Sequence, residues 1–284
     1  MGVNLESGHL RRLYQRNPVS GWRQEPEKAR RDQPVRIYTL GRFSIQRHGT
    51  GVSVGSTRQH RPMELLQALV AFGGREVGVE LLSQALWPDT DGDMAKNTFD
   101  VTLHRLRRIF GINDLLLLSD HRLTLNSELA WVDAWTFERL VNHAERLLPL
   151  APDPPVMRQL ARVSERVLNL YQGNFLDREA GRSWSLTLRE RLRSKLLRHI
   201  LDSGQVWERL GQWEQAIRVY RKGLEIDPLT EVLYQRLMVC LRETGQRADA
   251  LAMFNRCRDI LARQFGIEPS SATFALYSSL KPSA

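Results

Sequence analysis

The amino-acid sequence predicts a mostly α protein with a small β component, arranged as two domains. Residues 35–133 carry short strands, three helices and a closing β-hairpin, and residues 134–284 carry helices alone. Three observations lead to this division. Strand-like alternation after residue 35 gives way to helical periodicity. The amphipathic stretch Ala95–Phe110 is followed at once by a hairpin pattern. Beyond it, a 34-residue internal repeat runs through the second half of the chain.

The bulk properties fit this reading and exclude others. A chain of 284 residues is long enough to bury two cores. Its 42% hydrophobic and 26% charged residues are those of a water-soluble globular protein. No run approaches the roughly 18 apolar residues of a membrane span, and the N-terminus lacks the apolar core and cleavage site of a secretory leader. Cys240 and Cys257 have no metal-ligand spacing and imply no disulfide framework, so they read as reduced helix residues of a cytoplasmic protein. The net charge of +9 favours a polyanionic partner, but it is spread unevenly. Residues 1–34 hold seven basic and four acidic side chains and residues 35–135 eleven of each, leaving +6 on residues 136–284.

Residues 1–34 are polar and Arg-rich, with Pro18, Pro26 and Pro34 interrupting any long element; they read as a flexible basic arm. Val35–Leu40 and Phe43–Arg47 alternate around Gly41 and form two antiparallel strands. The glycines of HGTGVSVGST have the wrong spacing for a phosphate loop, and no lysine follows the last of them. Pro62 suits the first turn of a helix whose apolar face is Met63, Leu65, Leu66, Leu69, Val70 and Phe72, and Gly73-Gly74 ends it. Val79–Leu86 is a second short helix, ending at Trp87-Pro88.

The third helix, Ala95–Phe110, sets Phe99, Leu103, Leu106 and Phe110 on one stripe. Asn97, Val101, His104, Arg105 and Arg108 lie opposite, with Thr98 at the margin and Asp100 to the side. Such a face suits the DNA major groove, where arginine pairs with guanine and asparagine with adenine. Alone it fits an ordinary solvated surface better. After Gly111, however, Leu115–Leu118 and Arg122–Leu125 read as strands joined by Ser-Asp-His. Strands, three helices and a hairpin make a winged helix-turn-helix, with His121 and Arg122 on a wing beside the last helix. In the intervening loop, Asp89, Asp91 and Asp93 superficially suggest a calcium loop, but the glycine falls at the fourth position instead of the sixth; it reads as a solvated turn.

The segment NTFDVTLHRLRR (97–108) resembles the recognition-helix signature of OmpR-type winged helices, in which an Asp-Val pair precedes an Arg-Leu-Arg-Arg or Lys run. LWPD (86–89) before it, the hairpin after it and the two leading strands fall in the places that resemblance expects. It implies that Asn97, Thr98, Val101, Thr102 and Arg105 face bases or phosphates and that Arg108 and Arg122 contact backbone or minor groove; Arg58 and His121 join the last two as residues expected to hold phosphates or a groove. It also implies that the loop 88–94 can touch RNA polymerase. Many relatives carry arginine where this chain has Asn97, so a different base preference is expected. The 34 residues upstream are too few for a receiver domain, so control by aspartyl phosphorylation within the chain is not expected.

After Val132-Asp133, Phe137–Leu148 and Met157–Tyr171 are candidate helices on either side of a Pro-rich break. The repeat aligns LGQWEQAI (210–217) with TGQRADAL (244–251), placing Gly211 on Gly245, Ala216 on Ala250 and Tyr220 on Phe254. A turn glycine, a small alanine and a downstream aromatic at this period form the tetratricopeptide helix-turn-helix pattern. Two units are too few to stand alone, so Trp184–Val206 and Ser271–Leu280 are expected to cap them. WSLTLRERLRSKLL (184–197), DPLTEVLYQRLMVCLRETGQRADAL (227–251) and LARQFGIEP (261–269) resemble the bacterial transcriptional activator domain. Together with the OmpR-type winged helix, that order of domains resembles the SARP family of antibiotic-pathway regulators, in its short form without a C-terminal ATPase.

The expectation is therefore a cytoplasmic bacterial transcriptional regulator, an activator. Its partner is double-stranded DNA, which it binds as a homodimer ordered by the helical domain, and the repeats offer a groove for a protein or peptide. The alternative is an interaction adaptor whose winged helix no longer binds DNA, which the neutral charge of residues 35–135 keeps open. No catalytic constellation, cofactor or metal site stands out, so an enzyme is not expected.

Overall fold

The computed structural model describes residues 33–52, 60–179 and 181–281. The expected basic arm and Arg58 lie outside the described residues, except Gln33 and Pro34 at the arm's end. The elements in chain order are β1 (Val35–Tyr38), β2 (Ser44–Arg47), β3 (Thr50–Gly51), α1 (His60–Ala71), β4 (Val77–Gly78), α2 (Val79–Leu86), α3 (Gly92–Phe110), β5 (Leu116–Ser119), β6 (Arg122–Leu125) and β7 (Ala130–Val132). Helices follow: α4 (Asp133–Leu147), α5 (Pro154–Leu170), α6 (Ser183–Arg209), α7 (Trp213–Ile226), α8 (Glu231–Glu243), α9 (Arg247–Phe265) and α10 (Ser271–Leu280). The chain divides into two compact units, Met1–Thr136 with Asn174–Glu190 and Phe137–Gly173 with Arg191–Ala284. Residues 174–190, expected in the helical domain, thus belong to the first unit.

In the first unit, a four-stranded sheet has the order β3-β2-β1-β7. Strand β1 pairs antiparallel with β2, Ile37 opposite Ile45, and parallel with β7, Ile37 opposite Val132. Its inward residues Val35, Ile37, Ile45, Ala130 and Val132 are all buried, as the period-2 alternation requires. Where β1 ends, the Asp133 carboxylate accepts the backbone N–H groups of Thr39 (2.7 Å) and Leu40 (2.9 Å) and the Thr39 hydroxyl (2.6 Å). Burial pushes the Asp133 carboxyl up from its ordinary range against the pull of these bonds. The return segment carries the edge onward: Leu176 N–H donates to the Thr39 carbonyl at 2.8 Å, and buried Arg189 donates to the carbonyls of Phe175 and Leu176.

Helices α1, α2 and α3 pack on one another, and α1 also meets β6. The sequence assigns α1 one apolar face, yet every residue from Pro62 to Ala71 is buried, including Glu64 and Gln67. Glu64 is compensated by Arg61 at 2.9 Å and by Arg182 of the return segment at 2.5 Å. Leu65, Leu66, Leu69, Leu82, Phe99, Leu106 and Phe110 fill the centre with no exposure; each such side chain contributes about 1.5–3 kcal/mol. After α1, the N–H groups of Gly73 and Gly74 return to the Val70 and Leu69 carbonyls, a Schellman stop. Gly74 is required twice over: φ is +71°, and a Cβ there would lie 2.2 Å from the Trp135 ring.

The second unit is all helical among the described residues, and its repeat is visible bond by bond. Gly211 and Gly245, with φ of +67° and +74°, stand at the turns after α6 and α8. Gly211 N–H donates to Glu208 as Gly245 N–H does to Arg242; Gln212 N–H donates to Trp207 as Gln246 N–H does to Leu241. Each pair is separated by the same 34 residues. Ala216 and Ala250 are fully buried, and Tyr220 and Phe254 fill the same place in successive units. Helix α7 packs on α8, α8 on α9, and α10 on both α8 and α9, the last being the expected cap. Cys240 and Cys257 are free and buried, and burial pushes both thiols up to about 12.

Candidate nucleic-acid interface

The interface expected from the sequence is built on α3. Its first turn is set by Asp91, whose carboxylate accepts Gly92 N–H at 2.8 Å; its end is set by Gly111, left-handed at φ 58°. The helix thus begins at Gly92, three residues before the expected start, because the aspartate acts as an N-cap and needs no apolar residue behind it. This shortens the expected loop: only Pro88–Asp91 is loop, while Asp93 and Met94 belong to the helix. At 19 residues the helix is about 27 Å long.

The buried side of α3 is Ala95, Phe99, Thr102, Leu103, Leu106 and Phe110. Asn97, Val101, His104, Arg105 and Arg108 are exposed, and Thr98 is half-buried. Thr102 corrects the expected set. It is only 5% exposed, and its hydroxyl donates to the Thr98 carbonyl at 2.7 Å. It follows Val101 by one residue, about 100° round the helix, and so turns toward the apolar stripe. The Thr98 hydroxyl likewise donates to the Met94 carbonyl at 2.8 Å, which removes it as a donor to any ligand.

The hairpin β5–β6 follows, with Leu116 opposite Leu125 and Ser119 opposite Arg122. Asp120 and His121 form its tip, with φ of 48° and 56°. Two positive values are the signature of a type I′ turn, whose twist matches the strands. Strand β4 adds to β6, so the wing is a three-stranded sheet in the order β4-β6-β5. His121 and Arg122 are exposed there; the Arg122 guanidinium donates to the Glu76 carbonyl at 3.2 Å, which steadies it along the strand.

The sequence reading missed Arg107. Its Nε and Nη2 both donate to the Leu116 carbonyl, at 3.3 and 2.8 Å, tying α3 to the first strand of the wing. The available signal was its angular position: it lies near neither the centre of the exposed face nor the apolar stripe, but on the flank.

The second unit offers no comparable set of converging groups among the described residues. Tyr220 donates to Glu208 at 2.5 Å, and Arg236 holds the same carboxylate through two bonds of 3.0 and 2.6 Å. Burial, then the bond to Glu208, raises the Tyr220 hydroxyl above its ordinary value. This triad joins α6, α7 and α8 and leaves no free group for chemistry. His143 meets Gln159 at 2.9 Å, and burial and Arg146 lower its pKa. His199 is 2% exposed, and burial lowers its pKa to about 4. No group of three or more metal-ligating side chains occurs among the described residues, and no described helix is long and apolar enough to cross a membrane.

Comparison with known proteins places this architecture. A family model described as bacterial transcriptional activator domain matches residues 132–281. The regulatory protein AfsR of Streptomyces griseus is 28% identical over 235 residues, 83% of this chain and 23% of AfsR. AfsR of Streptomyces coelicolor is 28% identical over 247 residues, 86% of this chain and 24% of that protein. The chain thus spans about a quarter of the length of these AfsR proteins. The regulatory protein DnrI of Streptomyces peucetius is 22% identical over 249 residues, 84% of this chain and 88% of DnrI. Among solved structures, Mycobacterium tuberculosis EmbR in complex with a low affinity phosphopeptide shares the fold, with a TM-score of 0.63 and 20% identity over 88% of this chain and 65% of EmbR. With a winged helix leading into a matched activator domain, the chain belongs to the bacterial transcriptional activator domain family.

Proposed function

We propose that this chain is a sequence-specific DNA-binding activator of transcription in the bacterial cytoplasm, with α3 lying in the major groove. The observation that carries this reading is the solvent face of α3. Asn97, His104, Arg105 and Arg108 surround Val101 there, and every apolar residue the core needs is on the other side. Asn97, Val101 and Arg105 read bases; Arg108, with His121 and Arg122 of the wing, holds phosphates or an adjacent groove. The winged helix of residues 35–133 does the reading, and residues 134–284 order a second subunit or bind a partner protein or peptide. Exposed Pro88, Asp89 and Asp91 at the start of α3 make that loop the surface offered to RNA polymerase.

The test is selection of bound genomic fragments by the purified protein, followed by titration of the best fragment at several salt concentrations. An enriched motif with a steep salt dependence is expected, because neutralised phosphates release counterions. Arg105→Ala should weaken binding to that motif about tenfold or more. Unchanged affinity would remove Arg105 from the reading surface. The equal number of acidic and basic side chains in residues 35–135 favours a second reading, an adaptor that binds protein instead of DNA. Weak binding with no enriched motif would select that reading.

A further inference from the structure

Deepening the second-subunit reading above, we infer that α10, with the turn that leads into it, is the surface on which a second copy of this chain docks about a two-fold axis. Its sequence, SATFALYSSL, holds no charged residue in a chain where 26% are charged. Of its six apolar residues only Leu280 is buried, so the helix is far more apolar than its packing on α8 and α9 requires. Other apolar side chains gather at the same end. The Glu231 carboxylate accepts the Ser270 N–H at 2.8 Å and the Ser270 hydroxyl at 2.7 Å, which sets the start of α8 against the start of α10. Around this junction Val232, Phe265, Ile267 and Phe274 are all exposed, Phe265 by 59% and Phe274 by 40%. They are four of the ten large apolar side chains exposed among the described residues, and they form a patch where one such residue alone would need no explanation.

The partner follows from charge and shape. Each copy carries +9, of which +6 lies on residues 136–284, so copies repel wherever charged faces meet. Self-association therefore needs an uncharged face, and a two-fold contact sets this one against itself. At 100° per residue Ser271, Phe274, Ala275 and Ser278 share one arc, and all four are exposed. A single ring flanked by three small side chains is complementary to its own copy: each Phe274 enters the hollow between Ser271, Ala275 and Ser278 of the other helix. The contact is small. A ten-residue helix offers a strip about 15 Å by 10 Å, well below the roughly 800 Å² per partner of a stable dimer. The copies therefore pair weakly when free and firmly when DNA holds them side by side at high effective concentration.

Sedimentation of the full chain alone should show monomer at about 1 μM and dimer appearing toward about 1 mM, and the selected fragment should take up two copies cooperatively. Ala275→Glu sets two carboxylates against each other across the axis. It should abolish the dimer in free solution and weaken uptake of the second copy about tenfold or more, with the first unchanged. Ala275 is exposed, and circular dichroism checks that the variant keeps its fold. Ser278→Cys should be joined to a second copy by a short bismaleimide, while wild type, whose two thiols are buried, should not. Dimers untouched by Ala275→Glu, with no link through position 278, would overturn the assignment and leave the second-subunit reading intact. Monomer at every concentration and no cooperativity on DNA would remove both and give the face to a different protein. If no fragment is enriched, the DNA-reading proposal falls, and sedimentation and cross-linking of the free protein still decide this one.

Discussion

Lowering the pH should destabilise the helical unit through one side chain, His199 of α6. The imidazole is 2% exposed, and neither ring nitrogen has a hydrogen-bond partner among the described residues. Burial disfavours the charged ring, so its pKa falls from 6.5 to about 4. The sign follows directly. Between these values the unfolded chain binds a proton that the folded chain refuses, so stability is full above pH 6.5 and declines as the pH falls. Each pH unit of the gap is worth about 1.4 kcal/mol, giving a loss of roughly 2 kcal/mol by pH 5 and roughly 3 kcal/mol by pH 4. Urea unfolding followed by circular dichroism at pH 7, 6 and 5 reads this loss. His199→Leu, close in volume and with no ring to protonate, should be at least as stable at pH 7, because a buried group without a partner is removed. It should also lose about 2 kcal/mol less than wild type between pH 7 and 5. The other titrating groups are common to both proteins and cancel in the difference. Parallel losses in wild type and variant would refute the argument, because the acid sensitivity would then arise elsewhere.

Two further outcomes are expected from the packing. A Cβ at Gly204 would lie 2.3 Å from the Tyr220 ring, whose hydroxyl is held by Glu208; Gly204→Ala should therefore cost about 1–3 kcal/mol in thermal or urea unfolding, and an unchanged midpoint would mean that the ring is free to move. Arg107→Ala removes both bonds to the Leu116 carbonyl, so amides of the β5–β6 hairpin should exchange hydrogen faster while those of α1 do not change. Equal exchange in both proteins would show that the wing is held without this clamp.

What the sequence made legible is what depends on local period. The face of α3 followed from 100° spacing, α2 and α10 have the expected bounds, and the 34-residue repeat survives as matched hydrogen bonds at Gly211 and Gly245. Thr102 enters the expected site through the family resemblance and not through the 100° spacing; it is buried with its hydroxyl satisfied by the turn below it, a local bond that carries no hydrophobic signal. The early start of α3 escaped for a similar reason, since an aspartate cap followed by Gly92, Asp93 and Met94 leaves no apolar period to detect.

The pairings that escaped altogether join residues far apart in sequence. Strand β7 has three residues and pairs in parallel with β1 across nearly the whole winged helix, so neither length nor alternation distinguishes it from a loop. The Asp133 carboxylate that closes the end of β1 bonds to residues 93 and 94 positions away. Residues 174–190 follow two helices of the other unit, yet they return to the sheet of the first and supply Arg182 to Glu64. Their own pattern, a short irregular stretch leading into the helix that starts at Ser183, does not name the sheet as their partner. Physically, each of these cases is a buried polar group whose partner comes from a distant segment, and burial of such a group is tolerated only when that partner is present. A buried Glu64 in the middle of a helix, or an aspartate at the start of α4 with three backbone and hydroxyl donors around it, therefore demands a remote segment. The sequence supplies the demand without naming the segment that meets it.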